Sequence, residues 1–463
     1  MLNVDELIKA TKGILLNGNK SIKPLSYEID SRNIKKGDFF IPLKGANTDA
    51  HKYIIDCVKK GIIGYFIDEN FENFDKINNE AISINSDICI ISVSDTLQAL
   101  INSGKYSRQK HIDIPVVSVS GSVGKTSTRE MIVSVLKEEM KVLVTKKNFN
   151  SNIGTSLMCL EMQKQDVCVL EAGIDKFGEM QELSEILQPD IVVLTNIGTS
   201  HIGTFKTKEN IFSEKSKIIN CIKGIKKVIT NGDDIYLSSL VSNDKYDVEK
   251  ISVDNVDNIN ALEDSLEFET RIYGDKVKVK ISQIGNHNIY NALVAIKVAE
   301  CFNLKKQNII KGIANYKNFV GRLQQINVNG IILIDDTYNA SSESMRSGLL
   351  TVNKLKAKRK FAVLGDMFDL GEFSDEIHSK ICEMFSITKY DFLYTLGEKA
   401  KIIANGTKQY IKPKNIKSFD NADELVDEIV KEAKSGDMIY FKASNGMNFK
   451  SIVEKVKEKL HNS

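Results

Sequence analysis

One stretch restricts this chain more than any other. Val116-Val117-Ser118-Val119-Ser120 runs straight into Gly121-Ser122-Val123-Gly124-Lys125-Thr126-Ser127, and a helical pattern follows. A short, β-branched apolar run of this kind is a strand buried on both faces, the habit of parallel sheets covered by helices. A strand, a tight glycine turn and a helix start gather several backbone N–H groups around one point. That point carries the positive end of the helix dipole and attracts phosphate. Lys125 can reach terminal phosphates there, and the Thr126 hydroxyl can ligate Mg²⁺. Val119 stands where the loop's usual first glycine falls, so the strict pattern is not met. The strand before and the helix after supply the context the mechanism needs, and the bland alternative is a turn that only connects them. The expectation is an ATP-binding α/β enzyme.

The same alternation continues. Residues 167–170, 191–194 and 228–230 read as further buried strands, with helical segments such as 128–139 between them. Upstream, 39–43 and 62–67 read as strands and 96–109 as a helix. Pro115 then stops that element and sets an extended approach to the next. Residues 247–280 turn polar and β-rich, a small antiparallel excursion, and 286–301 read as a helix. A second boundary near 316–321 precedes strands at 331–334, 361–364, 392–396 and 438–441. A chain of 463 residues is too long for one hydrophobic core. Three α/β domains follow: a small N-terminal one at 1–110, a central parallel-sheet P-loop ATPase domain at 111–318, and a Rossmann-like C-terminal one at 319–463.

Composition limits the partners. Lys plus Arg (63) nearly cancel Asp plus Glu (61), so no nucleic acid or membrane surface is expected. No apolar run approaches the roughly 20 residues that span a bilayer. Met1-Leu2-Asn3-Val4-Asp5-Glu6 has no basic region leading into an apolar one, so a cytoplasmic protein is expected. None of the seven cysteines forms a C-x-x-C pair, and runs such as Val167-Cys168-Val169 read as reduced core thiols rather than a zinc or redox site.

Two more residues fall at C-terminal strand ends, where an open α/β sheet builds its site. Glu171 closes Cys168-Val169-Leu170, and His201 follows Thr195-Asn196-Ile197-Gly198-Thr199-Ser200. Either can bind a metal. Their plain readings are a helix N-cap neighbour and a satisfied loop histidine.

Together these motifs resemble the Mur ligases, ATP-dependent amino-acid ligases of bacterial cell-wall precursor synthesis. The resemblance runs over essentially the whole chain, in family order. It implies ATP and Mg²⁺, with UDP-N-acetylmuramoyl-tripeptide and D-alanyl-D-alanine as the substrates, and a monomer is expected. Asp30-Ser31-Arg32 with Gly37-Asp38-Phe39-Phe40 resembles the UDP-sugar segment, which assigns Ser31 and Arg32 to substrate. Asn148-Phe149-Asn150 resembles a substrate-side loop and assigns Asn150 likewise. The resemblance makes Thr126, Glu171 and His201 magnesium ligands. Lys215 falls at the place of a carbamylated lysine that helps hold a second Mg²⁺, with Lys217 a rival. Gly285-Asn286-His287-Asn288 with Asn291 is similar to an adenine-binding segment, implicating Asn288 and Asn291. Gly321-Arg322 resembles the arginine that reaches ATP phosphate. In Asp335-Asp336-Thr337-Tyr338-Asn339-Ala340, Asp336 is implied as the ribose partner and Asn339 as a substrate contact. Lys125, His201, Lys215 and Arg322 are then the implied catalytic groups. Ser341-Ser342 and Lys442-Ala443-Ser444-Asn445-Gly446 depart from the family runs, and both lie in the domain that receives the amine. A Mur-type ligase with another amine acceptor therefore stays open, as does a P-loop ATPase of non-ligase function.

Overall fold

In this computed structural model, which describes residues 1–45, 47–146, 148–262 and 265–462, the apolar runs in the middle of the chain build one parallel sheet. Its spatial order is Asp247–Ile251, Lys227–Asn231, Ile191–Leu194, Val116–Ser120, Val167–Glu171, Val142–Val144, and every neighbouring pair is parallel. The three middle strands are buried along their whole length. Alternate side chains supply opposite faces. Val117, Val119, Val169 and Val193 pack with Ile132 and Ile289, from helices Lys125–Leu136 and His287–Cys301. Val116, Cys168, Leu170 and Val192 pack on the other face with Met158 and Leu183, from helices Asn152–Leu160 and Glu179–Leu187.

Register then places the site. Val119 lies beside Glu171 on one side and Val193 on the other, and Ser120 beside Leu194. The glycine turn, Glu171 and Thr195-Asn196 therefore emerge together at the C-terminal edge of the sheet.

Two more α/β units flank this one. The N-terminal sheet runs Ile14–Asn17, Cys89–Val93, Gly64–Asp68, Phe39–Phe40, Tyr27–Glu28, antiparallel only at its first pair. Helix Thr96–Lys110 follows it, and its Ile101 enters the same apolar cluster as Val116 and Met158. The C-terminal sheet runs Gln324–Val328, Ile331–Asp335, Asp437–Lys442, Arg359–Gly365, Phe392–Leu396, Ile416–Phe419, antiparallel only at its first pair.

Local bounds differ from expectation in three places. The run expected over 39–43 is a strand only at Phe39–Phe40. The helix expected from 128 begins at Lys125, because Gly124 makes the turn at φ 87° and the polar Lys125-Thr126-Ser127 can start the helix at once. The antiparallel excursion is confined to Asp257–Ala261, Leu266–Ile272 and Asp275–Ile281, whereas Asp247–Ile251 joins the parallel sheet as its edge. Among the described residues, no helix is long and apolar enough to cross a membrane.

Candidate functional site

The glycine turn is held from below by the next strand's continuation. Asn196 Oδ1 accepts from Val123 N (2.9 Å), and Asn196 O accepts from Ser122 N (2.9 Å). Thr195 Oγ1 donates to Val123 O at 2.6 Å. Gly121 has φ 141°, and a Cβ there would stand 2.0 Å from Thr195 Oγ1, so only glycine fits. Gly124 opens helix Lys125–Leu136, and no side chain among the described residues caps it. The first-turn N–H groups thus point into the cleft as an anion cradle. Lys125 Nζ folds back onto the loop, donating to Gly121 O (2.7 Å) and Ser122 O (3.4 Å). Burial lowers its pKa, with the nearby Glu171 carboxylate opposing.

Beside the cradle stands Glu171, buried at its strand end, with its N–H donated to Thr145 Oγ1 at 2.8 Å. Arg129 Nη1 lies 2.8 Å from Glu171 Oε1, an ion-pair distance, but off the hydrogen-bonding direction, so Oε1 accepts no hydrogen bond from the described residues. His201 caps the short helix Ile202–Phe205 at φ 62°, with Nδ1 3.3 Å from Asp175 Oδ1 and 3.9 Å from Asp369 Oδ2. Burial lowers the His201 pKa against the pull of Asp175. Lys215 is 1% exposed on helix Lys208–Ser216. Burial first, then the Lys125 charge, pushes its amine well below the ordinary lysine range. Lys217 instead reaches out to Glu214 at 2.6 Å and is partly exposed, so the inward lysine is Lys215.

The C-terminal unit forms the facing wall. Arg322 follows Gly321 (φ 76°), stacks its guanidinium over the Tyr338 ring at 4.4 Å, and keeps a buried Nε with no partner among the described residues. Asp336 receives Lys442 Nζ at 2.6 Å and the Tyr440 hydroxyl at 3.1 Å. Asn339 Oδ1 accepts from Ala340 N at 2.9 Å and Asn445 N at 3.3 Å. Tyr338 reaches across the cleft to donate to Asn148 Oδ1 at 2.9 Å.

Two cavities lie between the walls. The first, about 270 Å³, takes in Val123, Gly124, Ser127, Asn291, Arg322 and Asp336. The second, about 340 Å³, takes in Ser122, Lys125, Thr126, Asn150, Glu171, His201 and Asn339, and shares Val123, Gly124 and Arg322 with the first. The cleft therefore gathers most of the residues marked in the sequence. Lys215 is buried behind it, close enough for its charge to bear on that of His201. Asn288 is turned inward: its amide donates to Ile284 O (2.8 Å), and its Oδ1 accepts from Asn291 (3.1 Å), so it orients Asn291 rather than lining the cavity. Ser31 and Arg32 are not brought here. Arg32 is exposed on the N-terminal unit, paired with Asp30 at 2.6 Å.

Three residues without an assigned role also line the first cavity: His287, Glu343 and Lys442. Burial takes the His287 pKa down to about 4, with Asp336 pulling the other way. His287 sits inside a segment already marked by resemblance, whereas no local pattern marks Glu343.

The chain as a whole is similar to known proteins. Residues 119–299 match the Mur ligase middle domain, and residues 321–445 match the Mur ligase, glutamate ligase domain. A UDP-N-acetylmuramoyl-tripeptide–D-alanyl-D-alanine ligase from Bacillus subtilis (strain 168) is 31% identical over 92% of this chain and 91% of its own length. A crystal structure of MurF from Acinetobacter baumannii superposes with a TM-score of 0.84, at 26% identity and 99% coverage of both chains. MurF ligase from Thermotoga maritima in complex with ADP gives a TM-score of 0.80, at 26% identity over 94% of this chain and 98% of that one.

Proposed function

Since the chain belongs to the Mur ligase family, we propose that it joins D-alanyl-D-alanine to UDP-N-acetylmuramoyl-tripeptide, using ATP and releasing ADP and phosphate, in peptidoglycan precursor synthesis. One observation carries this reading. An uncapped helix start on one wall of the cleft faces Arg322 on the other, whose buried Nε has no partner among the described residues and is free to donate. That is a receptacle for a polyphosphate shared between two domains.

The chemistry follows from the poor electrophilicity of a carboxylate. A carboxylate oxygen of the tripeptide attacks the γ-phosphorus of ATP, and the bond to ADP breaks. The amine of D-alanyl-D-alanine then attacks the acyl carbon, phosphate leaves with the bonding electrons, and the amine sheds a proton. Both steps bring negative groups together, so cationic groups must be in place beforehand. Lys125 exchanges the carbonyls of Gly121 and Ser122 for phosphate oxygens, and Arg322 meets the phosphates from the opposite wall. Burial favours the neutral form of His201, and Asp175 stands 3.3 Å from its Nδ1 to orient the ring.

The residues suit Mg²⁺. Glu171 Oε1 accepts no hydrogen bond from the described residues, and Thr126 stands in the helix's first turn beside the cradle. No group of three or more His, Cys, Asp or Glu among the described residues could hold a metal alone, which suits an ion taking most of its oxygens from phosphate and water. When bound, Mg²⁺ would supply charge neutralisation, held by Thr126, Glu171, His201 and Lys215. Burial shifts Lys215 toward the neutral amine, the form that adds CO₂, and the resulting carbamate would turn it into an oxygen ligand. Residues 1–110 receive the UDP-sugar through Ser31 and Arg32, 111–318 bind ATP, and 319–463 receive the amine near Asn339. The protein acts as a monomer.

The test is an amine screen with purified protein, ATP, Mg²⁺ and UDP-N-acetylmuramoyl-tripeptide, read by product mass. A product gaining one D-alanyl-D-alanine, with ATP consumed only when both substrates are present, is expected. A product with a single amino acid indicates another acceptor, and ATP hydrolysis without either substrate indicates a non-ligase ATPase.

A further inference from the structure

The turn that carries His201 hangs from three acceptors, and one belongs to another domain. Ile197 N donates to Asp234 Oδ2 at 2.8 Å, and Gly198 N donates to Ser122 Oγ at 2.8 Å. Both acceptors are in the central unit. Thr199 N donates to Glu343 Oε1 at 2.8 Å, and Thr199 Oγ1 donates to Glu343 Oε2 at 3.1 Å. Glu343 stands in the first turn of helix Ser342–Asn353, on the opposite side of the cleft. That helix start is itself fixed: Ser341 caps it, accepting from Ser344 N, while the Ser344 side chain answers the Ser341 N–H. The carboxylate also lies at the positive end of the helix dipole, a place that suits an acidic side chain.

Gly198 makes room for this grip. A Cβ there would lie 2.7 Å from Glu343 Cδ and 2.9 and 3.0 Å from its two oxygens. Three residues further on, His201 sits at φ 62°, a conformation a non-glycine side chain keeps only when its surroundings enforce it.

We propose that Glu343 is a positioning residue for the ligase reaction: by gripping Thr199 from the C-terminal unit, it sets the Gly198–His201 turn against the phosphate loop only when the two units are closed. Domain closure then completes the site as well as bringing substrates together. The inference rests on the ligase reading. When the units part, Thr199 N turns to water, and the turn keeps only its central-unit anchors, Asp234 and Ser122. Glu343 also lines the nucleotide cavity, so the rival role is a direct contact with the nucleotide, and the two roles move different constants.

The experiment compares wild type with Glu343→Ala, Glu343→Gln, Gly198→Ala and the Glu343→Ala/Gly198→Ala double variant. Loss of a charge-assisted pair should lower kcat roughly ten- to a hundredfold, with the KM for ATP unchanged. Glu343→Gln keeps one acceptor oxygen and should recover part of the loss. Gly198→Ala should depress kcat in the wild-type background by displacing the carboxylate, yet add little in the Glu343→Ala background, where the methyl has space. Hydrogen exchange of residues 197–201, measured without substrates, should quicken in Glu343→Ala. A raised KM for ATP with kcat unchanged, additive losses in the double variant, or unaltered exchange would overturn the proposal. If wild type forms no amide while exchange still quickens, the ligase reading fails and the grip stands.

Discussion

The central unit meets its two neighbours through contacts of opposite construction. On the N-terminal side the joint is a weld. Arg108, fully buried, donates to Leu187 O (2.7 Å), His111 O (2.8 Å), Ile114 O (3.0 Å) and Gln188 O (3.1 Å), and pairs with Asp190 at 3.2 Å. Asp190 in turn accepts Val116 N at 2.8 Å, so the guanidinium is tied to the first residue of the phosphate-loop strand. Gly104 lets its helix come so close that a Cβ would stand 2.7 Å from Ser156 Cα. These groups are satisfied only in this pose, and separating them would leave a buried charge with no answer. The contacts that bound the cleft on the C-terminal side differ. Gly203 N donates to Asp369 O (3.2 Å), Lys206 pairs with Glu372 (2.9 Å), and His201 faces Asp369. Partly exposed charges of this kind exchange protein for water at little cost. One joint ties the phosphate-loop strand to the N-terminal unit through buried groups; the other is held by polar contacts that water can replace.

Perturbing each side should separate chemistry from stability. The largest effect belongs to the cleft: Lys125→Ala should cut ligation by about a thousandfold or more, with the thermal unfolding midpoint nearly unmoved, and near-normal ATP-dependent ligation would contradict the assignment. The weld should behave in reverse. Arg108→Met strands the Asp190 carboxylate and should cost about 3–5 kcal/mol in denaturant unfolding, with kcat per folded molecule largely kept; a loss under about 1 kcal/mol would erase the contrast between the joints.

Acid should act on the cleft through His287, which faces Asp336, Arg322 and Lys442. Its folded pKa, about 4, lies below the ordinary 6.5, so above pH 6.5 it carries no penalty. As pH falls from about 6.5 toward 4 the unfolded chain takes up a proton that the folded one refuses. Stability then drops by at most about 1.4 kcal/mol per pH unit. Thermal midpoints of wild type and His287→Gln between pH 7 and 4.5 should converge, because only wild type carries this term.

The smallest effect is at the contact of Gly203 with the C-terminal unit. A methyl on Gly203 would lie 2.7 Å from Gly371 N and 2.9 Å from Leu370 C. Gly203→Ala should therefore lower kcat about tenfold, or about 1.4 kcal/mol of barrier, while unfolding free energy stays the same.

What was legible in the sequence was what lies close together along it. The phosphate loop combines a strand, two glycines and a helix start within a dozen residues, and its buried flanking strands announce themselves by unbroken β-branched runs. The edge strand Asp247–Ile251, only partly buried, reads like the antiparallel hairpins after it. Lys215 and Lys217 have the same chemistry and nearly the same spacing from His201, and only the turn of helix Lys208–Ser216 points one inward. Asn288 and Asn291 share a helix face, yet hydrogen bonding gives one to the backbone and the other to the cavity. Glu343 was invisible because its partner, Thr199, lies in another domain.

The ammonium of Lys125 rests on the carbonyls of its own loop, as a guest keeping a seat warm. An empty loop of inward N–H groups and a free cation would draw any passing anion, whereas this one is internally occupied until a more strongly charged visitor arrives. A triphosphate can outbid two neutral carbonyls for that ammonium; a nucleoside or a lone base cannot. Discrimination in favour of highly charged nucleotides thus begins with the loop's own resting arrangement, before base or sugar is touched.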